Sequence, residues 1–153
     1  DELERTGSHN LIIGRSHEYT SHRGVAAGRA HDLRSQGASV VGGIGGSAEG
    51  PFSVIVGGFG NATGADADQS VVVAGQNNLT VGTSGAAVGG SRSIVGGIRS
   101  VVTGGFDNST VGDEAVAVAG AGNIAQGRRS VVSGGMDNPA AGNHTVVSGG
   151  AER

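Results

Sequence analysis

The chain has 153 residues, among them 32 Gly, 2 Pro, 3 Phe and 1 Tyr, with no Trp and no Cys. Collagen is excluded by the scarcity of Pro and the lack of a three-residue Gly period, and helical bundles by Gly every few residues, each costing roughly 1 kcal/mol against Ala in a helix interior. A formal charge of −3 supplies no basic field for nucleic acid or an anionic membrane, and the absence of Cys removes disulfides and thiolate metal sites.

Leu, Ile, Val and Phe together supply only 34 residues, so composition alone allows either a flexible chain or a very regular one. No apolar run approaches the roughly 20 residues of a membrane helix, so no direct membrane insertion is expected, and the opening Asp1-Glu2-Leu3-Glu4-Arg5 is not a signal peptide. Residues 1–28 read as an irregular cap with degenerate coils, such as Gly7 to Gly14 and Gly24 to Gly28. Four of the 5 His lie in or just beyond this part: His9, His17, His22 and His31. His17 and His31 fall in a column that Asn fills later. One reading makes them corner hydrogen-bonders within a terminal cap. The other is a metal-binding or pH-sensitive cluster multiplied by chain assembly. Charged Asp1 to Arg5 are expected to blunt the exposed end of the fold against edge pairing.

Residues 29–150 are a repeat. A glycine closes each short β-like run at Gly43, Gly58, Gly75, Gly90, Gly105, Gly120, Gly135 and Gly150, with a period of 15 from Gly75 onward and one unit of 17 before it. Within each unit a β-branched run such as Ser130-Val131-Val132-Ser133 predicts a strand ended by Gly-Gly. Asn recurs at the third place, in Asn61, Asn78, Asn108, Asn123 and Asn138, where its tolerance of left-handed backbone suits a corner. A second glycine recurs at the seventh place, in Gly50, Gly82, Gly97, Gly112, Gly127 and Gly142, and is expected to supply positive φ at the other corner. Two short strands and two corners make one coil, so the fold class is all-β: a parallel β-roll or β-solenoid of about ten 15-residue coils. At about 4.8 Å per coil, ten coils give a rod of roughly 48 Å. Residues 151–153 read as a tail.

So narrow a coil encloses little interior, and successive strand residues point to opposite faces. One member of each pair Val131-Val132 and Val146-Val147 points in and the other out. Ile55, Val102, Val132 and Val147 are candidates for an outward apolar stripe or, with the alternation reversed, for core. A stripe of this kind rarely stays wet on a monomer, so in-register association of copies around a common axis is expected.

Most candidate chemistry dissolves into the repeat. Gly57-Gly58-Phe59-Gly60-Asn61 resembles a calcium-binding nonapeptide, but Asn61 stands where Asp belongs and the period is wrong. Asp66 and Asp68 fall in the 17-residue unit, on a protruding loop that is the candidate ligand contact. Triplets beginning at Asn61, Asn78, Asn108 and Asn143 have the form of glycosylation acceptors, three of them as by-products of the Asn column. Arg128-Arg129, with Arg92 and Arg99, are either isolated solvated cations or a basic band in an assembly. No cofactor motif, metal set or catalytic arrangement stands out, so no enzymatic activity is expected.

Ser130-Val131-Val132-Ser133-Gly134 and Asn123-Ile124-Ala125-Gln126-Gly127, with Val116 to Gly120 and Asn108 to Gly112, resemble the strand-and-glycine repeats of trimeric autotransporter adhesin heads. The resemblance spans about residues 24–150, with strand ends that are mostly Gly-Gly or Ala-Gly instead of Ile-Gly. It implies a left-handed parallel β-roll, a homotrimer, display outside the cell on a bacterial surface, and adhesion to a host or matrix protein or glycan. A structural spacer or fibre segment with no ligand of its own is the alternative, and the irregular distribution of Thr disfavours an ice-binding face.

Overall fold

Backbone amides that bond to the next coil instead of to their own determine the architecture. The computed structural model describes residues 5–150, and Asp1 to Glu4 and the tail 151–153, with the expectations attached to them, lie outside the described residues. Along the described chain run β1 (Leu11–Arg15), β2 (Glu18–Tyr19), β3 (Val25–Arg29), β4 (Asp32–Leu33), β5 (Ser39–Ile44) and β6 (Ser47–Ala48). They continue as β7 (Val54–Val56), β8 (Ala62–Thr63), β9 (Val71–Val73), β10 (Leu79–Thr80), β11 (Ala86–Val88), β12 (Ile94–Val95) and β13 (Val101–Thr103). The last are β14 (Ser109–Thr110), β15 (Val116–Val118), β16 (Ile124–Ala125), β17 (Val131–Ser133), β18 (Pro139–Ala140) and β19 (Val146–Ser148). The odd-numbered strands form a 10-stranded sheet and the even-numbered a 9-stranded sheet, each in strict chain order. Every pairing is parallel, as in Val101↔Val116 and Val116↔Val131. This is a parallel β-solenoid of about 9 turns, with no helix among the described residues. A third line of single bridges, Phe59↔Gln76↔Ser91↔Phe106↔Ala121↔Met136, runs between the sheets.

The N-terminal coils belong to the same two sheets but are shorter. Leu11 pairs with Val25 and Val25 with Ser39, a spacing of 14 residues, and the register shifts where Ala27 and Arg29 meet Val41 and Ile44. One glycine, Gly28, turns the corner there, whereas the next coil uses two, Gly42 and Gly43. The extra residue lengthens the coil to 15, and the two-residue corner persists through Gly149-Gly150, as Ala-Gly at Ala74-Gly75 and Ala119-Gly120.

The interior is one side chain wide on each sheet. Val40, Ile55, Val72, Val102 and Val132 from the 10-stranded sheet meet Leu33, Ala48, Val95, Ala125 and Ala140 from the other, all essentially inaccessible to solvent. This reverses the outward reading of Ile55, Val102 and Val132: they are core, and Val147, in the last coil, is half-buried against the same core. Buried hydroxyls fill some of the same line in pairs, with Ser53 and Thr63 oxygens 2.8 Å apart and Ser100 and Thr110 3.0 Å apart.

The Asn column differs from the corner expected. None of Asn61, Asn78, Asn108, Asn123 or Asn138 has positive φ, and all five are buried. The left-handed residue is the one before, Asn77, Asp107 or Asp137, with Gly60 or Gly122 in other coils. The Asn amide works inside the coil. Asn108 Nδ2 donates to the Gly104 carbonyl at 3.2 Å and to Ala119 of the next coil at 3.1 Å, and its Oδ1 accepts the Asn123 N–H at 3.0 Å. An unpartnered buried amide or carbonyl costs about 1–3 kcal/mol, so a residue that satisfies several at a turn is worth its burial.

The seventh-place glycines are also corrected. Gly50, Gly82, Gly97, Gly112, Gly127 and Gly142 all lie outside the left-handed region. At Gly112 an added Cβ would strike the Gly127 carbonyl of the next coil, so glycine serves close coil-to-coil approach. Positive φ at that corner sits on non-glycine residues two places on: Phe52, Gln69, Ser84, Arg99, Glu114, Arg129 and His144.

Gly112→Ala should therefore cost about 3 kcal/mol, as a backbone-to-side-chain clash between coils. Gly104→Ala should cost only about 1 kcal/mol, the left-handed penalty alone, because its φ is +66° with nothing within 4 Å of the added Cβ. Ala74 and Ala119 already occupy the equivalent place with φ of 56° and 54°. Urea denaturation of the two variants checks the order, and equal midpoints would refute the contact argument.

Candidate functional site

With the core settled, the outward positions of each strand follow by alternation. On the 10-stranded sheet they are the first and third residues, such as Val54 and Val56, Val71 and Val73, or Val116 and Val118. The first column stays apolar from Leu11 (57% exposed) to Val146 (68% exposed), with Ser39 the one polar residue. The third column is Ile13, Ala27, Val41, Val56, Val73 and Val88 before Thr103, Ser133 and Ser148 enter it. Together the two columns, rich in β-branched residues, make an apolar face along the rod that is broken at Ser39 and becomes more polar in the third column toward the C-terminal coils.

The 9-stranded sheet carries a second, smaller apolar area. Leu79, Ile94 and Ile124 point outward at mid-rod, flanked by exposed Val81, Ile98 and Val111. Nearer the N-terminal end the same column becomes Glu18, Asp32 and Ser47. Between the sheets, the Arg92 guanidinium lies 5.1 Å from the centre of the Phe106 ring.

The arginines read from the sequence as either solvated cations or a basic band each reach a carboxylate, but three of them share one, so that cluster keeps a net positive charge. Arg92 reaches Asp107 at 3.6 Å, while Arg99, Arg128 and Arg129 all converge on Glu114 at 3.0, 3.3 and 2.6 Å. Glu114 thus sits between cations from the coils on either side of its own. The hydrogen bond from Arg129 holds its carboxyl below the ordinary value of 4.5, desolvation opposes this, and Arg128 reinforces it.

Asp66 is exposed on the 17-residue coil, where its carbonyl accepts a hydrogen bond from Thr83 Oγ1 at 3.1 Å. Asp68 is half-buried. No group of three or more His, Cys, Asp or Glu side chains converges to hold a metal among the described residues. The amides of Asn61, Asn78 and Asn108 are enclosed, so those glycosylation-like triplets present no accessible acceptor, and only Asn143 of the four is exposed. A cavity of about 170 Å³ opens near the N-terminal end, lined by Arg5, Ile12, Gly14, Arg15, Ser16, His17 and Tyr19.

The sequence reading missed two things: which valines face out, and the Arg–Glu–Arg ladder. The second was available as a signal, since Arg99, Glu114 and Arg129 are spaced by one coil and alternate in sign. No protein-family model matches the chain, and no curated protein matches it.

Because the folded carboxyl of Glu114 titrates below its unfolded value, the ladder's contribution is present above about pH 4.5 and lost as pH falls through the folded value. Arg129→Ser should move the Glu114 titration midpoint upward in NMR. A midpoint that does not move would show that Arg129 is not its main partner.

Proposed function

We propose that this chain is the adhesive head of a bacterial surface protein: a rigid, left-handed β-solenoid that associates as an in-register homotrimer and binds without catalysing any reaction. The observation that carries the reading is the paired apolar column on the 10-stranded sheet, from Leu11 and Ile13 past Val54 and Val56 to Val116 and Val118. A face of that length, left in water, favours association, and a second copy with the same 15-residue period matches it coil for coil. Cyclic three-fold assembly needs two different patches on each protomer. The second apolar area around Leu79, Ile94 and Ile124 supplies one.

In this reading the partner outside the assembly is a host or matrix protein or a glycan, met by the corners left facing outward. Asp66 and Asp68 on the longest coil are the candidate contacts. Three copies of a weak contact on one rigid rod raise avidity without a deep pocket. Location outside the cell or on its surface follows from the same reading, as does the absence of nucleic-acid, membrane or cofactor partners. One observation favours the alternative of a plain spacer or fibre segment: Arg92, Arg99, Arg128 and Arg129 pair with carboxylates of neighbouring coils, so these side chains already serve to tie the rod together.

Native mass spectrometry at micromolar concentration should show a trimer, and a monomer overturns the assembly. Val118→Asp should dissociate it while preserving the β-sheet circular dichroism, whereas Val132→Asp, inside the coil, should unfold the chain. Solid-phase binding to collagen, fibronectin and glycan arrays should show attachment that weakens severalfold in an Asp66→Ser, Asp68→Ser double variant. A trimer that binds none of them would favour the spacer.

A further inference from the structure

The interior column that later coils fill with Asn61, Asn78, Asn108, Asn123 and Asn138 holds His17 and His31 in the first coils. The two rings stack with centroids 5.1 Å apart and planes at 23°, and they are only 2% and 1% exposed. Each has both nitrogens committed. Nε2 of His17 bonds the Ile13 carbonyl at 3.1 Å, and Nε2 of His31 bonds the Ala27 carbonyl at 3.1 Å. A carbonyl only accepts, so both rings carry their proton on Nε2. The Nδ1 atoms are therefore acceptors, His17 from the His31 backbone N–H at 3.2 Å and His31 from the Gly46 N–H at 3.1 Å. Asn108 makes the same pair of contacts, to the carbonyl four residues back and from the third-place amide of the next coil.

Only the neutral ring fits. A second proton must go to Nδ1, where it would meet a backbone N–H, turn the link between coils into a donor–donor contact and place two cations face to face. The charged and titratable surroundings offer no compensation. Arg5 Nε donates to the His17 carbonyl at 3.3 Å, and Arg15 and Tyr19 share the cavity beside that ring. On the strands that follow the two rings, Glu18 occupies an outward position and Asp32 is engaged by Arg34 at 2.7 Å. Burial lowers the His31 pKa from 6.5, the Ala27 hydrogen bond opposes this, and His17 lowers it further.

We propose that the His17–His31 stack makes the N-terminal coils an acid-release element, in which proton uptake at Nδ1 parts the chain before about Gly46 from the Asn-laddered coils that follow. The sign follows from linkage. The folded value of His31 lies below the unfolded one, so the opened state binds more protons, and stability is full above about pH 6.5 and declines as pH falls. Proton uptake by the His31 imidazole raises the opened population by up to about tenfold per pH unit below that point. The non-titrating Asn coils lack this response.

Amide hydrogen exchange by NMR on the full chain at pH 7.5 and 5.0, expressed as protection factors, tests this. The His31 and Gly46 amides should lose about tenfold or more of their protection at pH 5.0, while those of Asn78, Ser93, Asn123 and Asn138 keep theirs. A His17→Asn, His31→Asn double variant installs the side chain used elsewhere in the column and should keep the coils but lose the acid response. His22, whose exposed Nδ1 accepts from Ser8 N–H at 3.2 Å, stays in that variant. A surviving response would assign the effect to His22 and overturn the proposal, as would unchanged protection in the parent chain. If the double variant fails to fold, imidazole nitrogen shifts of the parent decide: rings still neutral at pH 5.0 overturn it.

Discussion

The amide–carbonyl bonds between coils place each residue beside its counterpart one coil away, as Val101 lies beside Val116 and Val116 beside Val131. A column must therefore tolerate being stacked on itself at a strand spacing of about 4.8 Å. Val on Val and Asn on Asn satisfy this through packing and through amide ladders. Charge satisfies it by alternation, with Arg99, Glu114 and Arg129 in successive coils. Where the backbones come closest, only glycine fits, as at Gly82, Gly97, Gly112 and Gly127.

The same stacking explains how so narrow a solenoid closes an interior. Each coil contributes about one apolar residue per sheet, too little to shield the turns on its own. The Asn column compensates by bonding carbonyls of the two-residue corners, those of Gly104 and Ala119 around Asn108 among them, and adds a second bond to Gly120, whose carbonyl also accepts the Phe106 N–H. Where the corner is one residue shorter, in the 14-residue coils that turn at Gly14 and Gly28, imidazole takes over, and the Nε2 of His31 lies close against Gly28.

The period, the parallel strands and the columns were legible in the sequence, because a repeat that stacks on itself writes each structural place many times. The phase of the columns was not. Alternation makes Val131 and Val132 equivalent until the corner geometry is known, and that geometry depends on left-handed residues whose types announce nothing, such as Phe52, Arg99 and Glu114. Asn was assigned by its usual conformational habit, whereas here its amide matters and its backbone is ordinary. The seventh-place glycine was visible as a column, but its cause lies in a neighbouring coil that a linear reading does not supply. Of the candidate surface, the Val-rich run was readable and its outward half was not; the loop at Asp66 was readable from the unit length alone.

That longer unit bears on how such a rod can vary. Val54 pairs with Val71 and Val71 with Ala86 in unbroken parallel register, although the first step spans 17 residues and the second 15. The two surplus residues, Ala65 and Asp66, are exposed at one corner, and the coils above and below keep their alignment. Chain length at this corner is thus uncoupled from the rise of the rod, which makes it a natural acceptor for grafted peptides.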